Sequence, residues 1–278
     1  MFRLFCGPHD TLCNHLLKNM SPSENIARLA SELPPITLDE MKSIRLMNRM
    51  DTKFVTTVGM LIELLELCKG SYYSQSINGK RVSPYRTTYW DYPERHDMFR
   101  FHQAGHLPRT KVRARTYLDS GHSFLEIKRK NNHGKTKKKR VPVSSIDAVI
   151  RNHEGEEFLR EMLGITFSDL TPALGNQFHR ITLVNMAKTE RLTIDFDLHF
   201  HNYETGNEAA MDNIVIIELK RDGRQPSPIL PLLRQLRIKP AGFSKYCIGT
   251  TVTNPNLRIN RFKKRLIKIG KIQARAAL

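Results

Sequence analysis

The chain has 278 residues, 40% of them hydrophobic and 26% charged, a balance that suits ordinary globular structure and excludes disorder along the whole length. Lys and Arg total 45 against 27 Asp and Glu, and the net charge of +18 favours polyanionic partners: nucleic acid, phosphorylated small molecules or acidic lipid. No apolar run approaches the ~18 residues of a membrane helix, the N-terminal segment is too broken for a secretory signal, and four scattered cysteines without a CxxC spacing predict a soluble cytoplasmic protein with reduced thiols.

Residues 1–20 lack a clean period and are expected to form a flexible tail, with a single domain over 21–278. A helix starts near Ser21 or Ser23 and stops at Pro34-Pro35, and Thr37 caps a second over 38–47. The Thr- and Val-rich stretch 49–56 reads as a strand, followed by an apolar helix over 58–68. Strands are predicted over 85–92, 110–118, 123–130 and 137–143, the last two joined by a hairpin turn at 131–134 that offers Gly134 for positive φ. A helix over 144–163 ends at Gly164. Strands over 177–188, 191–200 and 214–220 follow, then a helix over 230–236, a stretch over 243–252 that closes the sheet, and a basic amphipathic helix over 258–277. No linker or repeat divides this pattern, so one α+β domain built on an antiparallel sheet is the economical reading.

Successive side chains of a strand point to opposite faces, and that alternation sorts the charge. Lys111, Arg113, Arg115 and Tyr117 share one face against Val112, Ala114, Thr116 and Leu118. Glu126, Lys128 and Lys130 share a face, as do Lys137 and Lys139, then Arg191, Thr193, Asp195 and Asp197, then Ile216, Glu218 and Lys220. A sheet with one wet face gives such alternation, but rows of cations on consecutive strands repel across a flat sheet. A closed barrel with a charged lumen and helices outside accommodates both the cations and the interspersed carboxylates, and Arg and Lys are the natural partners of phosphoryl oxygens.

These residues resemble the VTC domain, the catalytic domain of vacuolar transporter chaperone polyphosphate polymerases, within the wider triphosphate tunnel (CYTH-like) superfamily. The resemblance rests on Arg45-x-x-x-Arg49-x-Asp-x-Lys53-Phe, Tyr89-Trp-Asp91, Lys111-Val-Arg-x-Arg-x-Tyr117 and Phe124-Leu-Glu-Ile-Lys-x-Lys130. It continues through Lys137-x-Lys139-Arg140, Arg180, Arg191-x-Thr-x-Asp195, Ile217-Glu-x-Lys220 and Phe243-Ser-Lys-Tyr246, in the family's order over about residues 37–250. It implies an antiparallel eight-stranded tunnel β-barrel with helices packed outside, and polymerisation of the terminal phosphate of ATP into polyphosphate. Matched one by one, Lys53, Arg113, Arg115, Lys128, Arg191 and Glu218 are the implied catalytic positions. Arg49, Lys111, Lys130, Lys139, Arg180, Lys220, Ser244 and Lys245 are the implied phosphate-binding positions. Glu218 is the implied ligand of Mn²⁺ or Mg²⁺. The Glu-x-Glu-x-Lys of other tunnel branches is replaced by Arg49-Met-Asp-Thr-Lys53, which argues against a thiamine-triphosphatase or adenylate cyclase. The inositol-phosphate sensor and membrane helices of eukaryotic subunits have no counterpart in these 278 residues.

Alternatives stay open from the residues alone. Asp195 is either a second metal ligand or a salt-bridge partner of Arg191 or Lys220. His102 and His106 have helical spacing but no third ligand, so they read as surface histidines. Tyr89, Trp90 and Tyr92 read as core or rim aromatics, with adenine stacking as the other use. Neither GxxxxGK[ST] nor GxGxxG occurs, against a P-loop or Rossmann nucleotide site. A hydrolase of triphosphate or polyphosphate would share every ligand with the polymerase. A polyanion-binding module remains the reading from another class, with the helix over 258–277 offering an anionic surface contact and no motif for a specific nucleic acid.

Overall fold

Ser21 opens the first helix, α1 (Pro22–Glu32), with a reciprocal cap: its hydroxyl accepts from the Glu24 amide, and its own amide donates to the Glu24 carboxylate at 2.7 Å. This comes from a computed structural model of the chain, which describes residues 20–42, 44, 49–223 and 225–274. The expected tail over 1–20 lies outside the described residues, apart from residue 20. The second helix, α2, is described over Leu38–Lys42, and the rest of its expected span falls largely outside the described residues.

Among the described residues, eleven strands form one sheet. They are β1 (Pro35–Ile36), β2 (Arg49–Thr57), β3 (Tyr72–Gln75), β4 (Ser83–Asp91), β5 (Arg109–Tyr117), β6 (Ser123–Lys130), β7 (Thr136–Val143), β8 (Thr171–Asn185), β9 (Glu190–Asn202), β10 (Glu208–Met211) and β11 (Ile214–Asp222). Eight of them run in the order β2-β11-β9-β8-β4-β5-β6-β7, antiparallel at every step. The α+β architecture is therefore the expected one, with one difference of detail. The end strands β2 and β7 share no ladder, so the sheet is a curl with a seam rather than a fully closed barrel. The edge strand β7 carries Pro142 and a run of Lys side chains, both of which resist pairing with another edge.

Helices cover the outer face in two groups. α1, α3 (Val58–Leu67) and α7 (Ile229–Gln235) bury Leu29, Leu64 and Leu233 against Phe54, Ile194, Ile217 and Leu219. α5 (Ile146–Asn152) and α6 (Glu156–Leu163) bury Ile146, Val149 and Leu159 against Trp90, Val112, Leu125 and Ile127. The single helix expected over 144–163 is thus two helices. His153 (φ 52°) and Gly155 (φ 88°) take left-handed conformations that end one helix and begin the other.

The stretch expected to close the sheet at 243–252 is instead α8 (Lys245–Thr253), a helix that enters the curl from one end. Ser244 caps it by accepting from the Cys247 amide. Thr251 and Thr253 donate their hydroxyls back to the carbonyls of Cys247 and Gly249, so these β-branched residues sit in a helix with their polar atoms satisfied. Tyr246, Cys247 and Ile248 pack on the inward side chains Val55, Leu174, Phe178, Leu198, Phe200 and Ile216, with Phe99 of α4 (Asp97–Ala104) and Phe262 and Ile269 beside and within α9 (Lys263–Ala274). Asp91 anchors this plug by accepting from the Met98 and Phe99 amides and from the Tyr246 hydroxyl. A Cβ on Gly249 would meet Phe200 and Leu174 at 2.4 and 2.7 Å. Gly249→Ala is accordingly expected to cost about 1–3 kcal/mol through overpacking, read as a lower midpoint in chemical denaturation. α9 leaves Lys263, Lys264, Lys268 and Lys271 exposed, while Phe262 and Ile269 seat it against the inward-facing cluster rather than on the outer face. No helix among the described residues is long and apolar enough to cross a membrane.

Candidate functional site

The ladder registers decide which charges face inward. Arg113 pairs with Glu126 and Lys111 with Lys128; across the next ladder Lys128 pairs with Lys138 and Glu126 with Arg140. Paired residues share a face, so all of these belong to the inner surface. Lys139 pairs with Ile127, a residue of the outer core, and therefore points outward. Its assignment as a phosphate-binding position is corrected: the inner lysine of that stretch is Lys138, whose Nζ lies 2.6 Å from Glu126 Oε1. Lys130 lies in register with Arg109 and Thr136 at the end of the same ladders. Arg49 lies in register with Asp222, while its side chain, like Arg45, is outside the described residues.

On the other half of the curl, Lys53 Nζ stands 2.8 Å from Glu218 Oε1 and Lys220 Nζ 2.7 Å from Glu218 Oε2. Thr193 lies beside Glu218 and Arg191 beside Lys220 in register. Arg180 grips Asp195 with two bonds of 2.5 and 2.8 Å, and Lys245 at the start of α8 binds the same carboxylate. Asp195 is thus held by Arg180 and Lys245 rather than by Arg191 or Lys220, the partners anticipated from the sequence. Lys111 Nζ donates to Ser244 Oγ at 2.9 Å. The two halves are bridged at the start of α8, where Ser244 accepts from Lys111 of one half and the adjacent Lys245 binds Asp195 of the other.

Burial would raise the Glu218 carboxyl, but Lys220 and Lys53 outweigh it and hold it well below the usual carboxylate range. Asp195 is likewise kept ionised against burial by Arg180 and Lys245. Glu126, almost fully buried, is drawn down to about 2 by Arg113, Arg115 and Lys138 despite its desolvation. The cations divide into two kinds. Arg113 makes bonds of 2.7 and 2.5 Å to Glu126. Arg115, buried, donates to Thr87 Oγ1 at 3.0 Å and lies over the rings of Tyr85 and Phe178 at 5.7 and 5.5 Å. Burial and the neighbouring Arg113 push the Arg115 guanidinium down to about 10. Among the described residues, Arg115, Lys111 and Lys128 have no carboxylate within ion-pair distance. Uncompensated cations on a preformed inner surface are what a phosphate chain neutralises.

The donor set also fits a hard divalent ion. Glu218 offers an ionised carboxylate, and Thr193 Oγ1 beside it is buried without a hydrogen-bond partner. Mg²⁺ and Mn²⁺ draw most of their ligands from substrate oxygens and water, so one carboxylate is a sufficient protein anchor.

Other candidates fall outside this interior. Trp90 is buried in the outer core against Phe167, which removes it from any stacking role, while Tyr89 lines the inner wall within 3.4 Å of Arg113. His102 is not a surface histidine: it packs edge-on to Tyr246, and burial reinforced by Lys111 and Arg109 pushes it down to about 3. His106 is exposed. Glu126, Lys138, Arg140 and Asp195 are charged inner-wall residues that the candidate set omits. The signal for Glu126 was its shared strand face with Lys128.

Lys245 carries a consequence in pH. Burial pushes its ammonium down to about 7 although Asp195 opposes this. In the free protein it is neutral above that value, and a bound polyanion restores the proton. Binding of a tripolyphosphate probe should therefore weaken between pH 7.5 and 9, by up to about tenfold per pH unit from this one group. Calorimetry in buffers of different ionisation enthalpy should show proton uptake, and Lys245→Met should abolish it.

An antiparallel curl of eight strands with helices outside and converging cations within is a tunnel-like fold with a basic interior. The chain belongs to the VTC domain family, whose sequence profile matches residues 48–254. Membership ties it to polyphosphate- and triphosphate-related chemistry. It is similar in structure to a proposed adenylyl cyclase of Hippeastrum with a dominant triphosphatase activity, at 13% identity and TM-score 0.48, over 74% of this chain and 95% of that one. It is also similar to a proposed adenylate cyclase of Bacillus halodurans, at 14% identity and TM-score 0.44, over 71% of this chain and 96% of that one. A comparison with curated proteins gives no match.

Proposed function

We propose that this protein is a polyphosphate polymerase that transfers the γ-phosphoryl group of ATP to the end of a growing polyphosphate chain. The observation that carries the reading is the convergence of Arg115, Lys111 and Lys128, without carboxylate partners among the described residues, on the interior that also holds Lys53, Lys220 and Glu218. A terminal oxygen of the polyphosphate forms the new bond to the γ-phosphorus as the bond to the β–γ bridging oxygen breaks. ADP leaves with that electron pair. Phosphoryl transfer has a loose transition state, so the protein's part is positioning and charge neutralisation, and no covalent enzyme nucleophile is required.

In this reading Arg113, Arg115, Lys128 and Arg191 hold the nucleotide phosphates, with Lys53, Arg180, Lys220, Ser244 and Lys245 completing the inner wall. Glu218 would hold Mn²⁺ or Mg²⁺, which when bound supplies further neutralisation of phosphate oxygens. The partners are ATP and polyphosphate, the setting is the cytoplasm, and the lysines of α9 offer an anionic surface contact.

The test is incubation of purified protein with γ-labelled ATP and Mn²⁺ or Mg²⁺, with products resolved on gels. A ladder of long labelled polyphosphate is expected. Free phosphate alone would replace the reading by a hydrolase. Absence of turnover with tight polyphosphate binding would leave a polyanion-binding module.

A further inference from the structure

Between the two groups of covering helices, a strip of the sheet's outer face carries no helix among the described residues and forms a groove of about 530 Å³ bordered by Arg86, Gln177, His199, His201, Tyr203 and Glu208. At its end, three side chains from separate backbone positions converge. Asp197 sits at an irregularity in the β8–β9 ladder, where the register shifts opposite residues 177–179, and its backbone is left-handed at φ 54°. That extra residue turns the Asp197 carboxylate to the outer face, the side opposite Asp195 and Glu218. There Asp197 Oδ1 lies 2.8 Å from His199 Nε2, and Asp212 Oδ1, from the turn between β10 and β11, lies 3.9 Å from the same nitrogen. The donor atoms of all three lie within 4.8 Å of one another. His179 Nδ1, 2.8 Å from Asp197 Oδ2, orients the carboxylate and leaves Oδ1 for the cluster.

We propose that Asp197, His199 and Asp212 bind a borderline divalent transition ion, Zn²⁺ being the case to test, on the outer face of the sheet and apart from the inner chamber. One imidazole nitrogen and two carboxylate oxygens match the ligand preference of Zn²⁺, at bonds of about 2.0–2.2 Å, and leave a position for water. A tetrahedron of that size sets donors about 3.3–3.6 Å apart, a spacing that lies between the two donor distances present. Mg²⁺ gains nothing from imidazole, so this cluster and Glu218 select different ions. His179 acts on the ion only through Asp197, the arrangement by which a second imidazole fixes a ligating carboxylate. Asp212 immediately precedes Asn213 and β11, so a bound ion ties the turn that leads into β11 to the irregular segment of β9.

The test uses the full chain stripped of metal by chelator, titrated with Zn²⁺ against a chromophoric competitor, and with Co²⁺ followed by its visible absorption. His199→Ala and Asp212→Asn change exposed side chains and leave the core intact. The expected result is one Zn²⁺ site whose affinity falls at least tenfold in each variant and is retained in Glu218→Gln, with the Co²⁺ bands lost alongside. A fall of less than tenfold in either variant, or loss of the site in Glu218→Gln, overturns the proposal. Because both readouts are binding signals, neither depends on polymerase activity.

Discussion

Arg115→Met should stabilise the fold while lowering ATP turnover by about 10²–10³-fold. Arg115 is a buried charge in contact with Thr87 and two aromatic rings, and burial with the cations Arg113 and Arg180 outweighs the attraction of Glu126. Replacing such a charge by an apolar chain of similar length removes a desolvation cost and a like-charge contact, for a gain of about 1 kcal/mol or more. Two strand positions earlier the same substitution should act in the opposite sense. Arg113→Met leaves Glu126, 1% exposed, with Lys138 as its remaining ion-pair partner, and should cost about 3–5 kcal/mol. Thermal melts of the two variants beside single-turnover rates separate the roles. Equal destabilisation by both would mean that Arg115 is structural and would remove it from the phosphate site.

Glu218→Gln should separate binding from turnover. The carboxylate lies between Lys53 and Lys220, so neutralising it raises the positive potential of the inner wall. Affinity for tripolyphosphate should rise severalfold, as expected for a unit charge removed a few ångströms from the ligand at intermediate dielectric. If Glu218 holds the divalent ion as proposed, the polymerisation rate should fall by about 10²–10³-fold. Calorimetric affinity without nucleotide, set beside the rate of labelled ladder formation, checks both halves. An unchanged rate would exclude Glu218 from the reaction, and weakened binding would show that Glu218 positions the two lysines instead.

The inner wall was legible because strand alternation separates Lys111, Arg113 and Arg115 from Val112 and Ala114 without any knowledge of the fold. At β7 that signal fails, since Lys137, Lys138 and Lys139 occupy both faces. There the register is fixed by the 131–135 turn, where the Asn131 side chain accepts from the Lys135 amide and Thr136 pairs with Lys130. The helix α8 was hidden for another reason. Its sequence, KYCIGTTVT, has weak helix propensity, and burial inside the curl overrides that preference. The pairing of Asp195 with Lys245 spans 50 residues and has no local signature. The outer cluster of Asp197, His199 and Asp212 depends on a one-residue ladder irregularity, which reverses the face that plain alternation assigns to Asp197.

The plug that α8 forms has a consequence for synthesis. The inward side chains Phe178, Leu174, Leu198 and Phe200 belong to strands made well before residues 245–253, and until that segment leaves the ribosome they face an unfilled interior. Elongation at ~5–20 residues per second makes that interval last seconds. Nascent chains of this protein thus expose an aromatic surface after most of the sheet is available to pair and before α8 has been made. Until α8 and α9 seat, that surface lacks its plug, so collapse of the interior waits on residues 245–274.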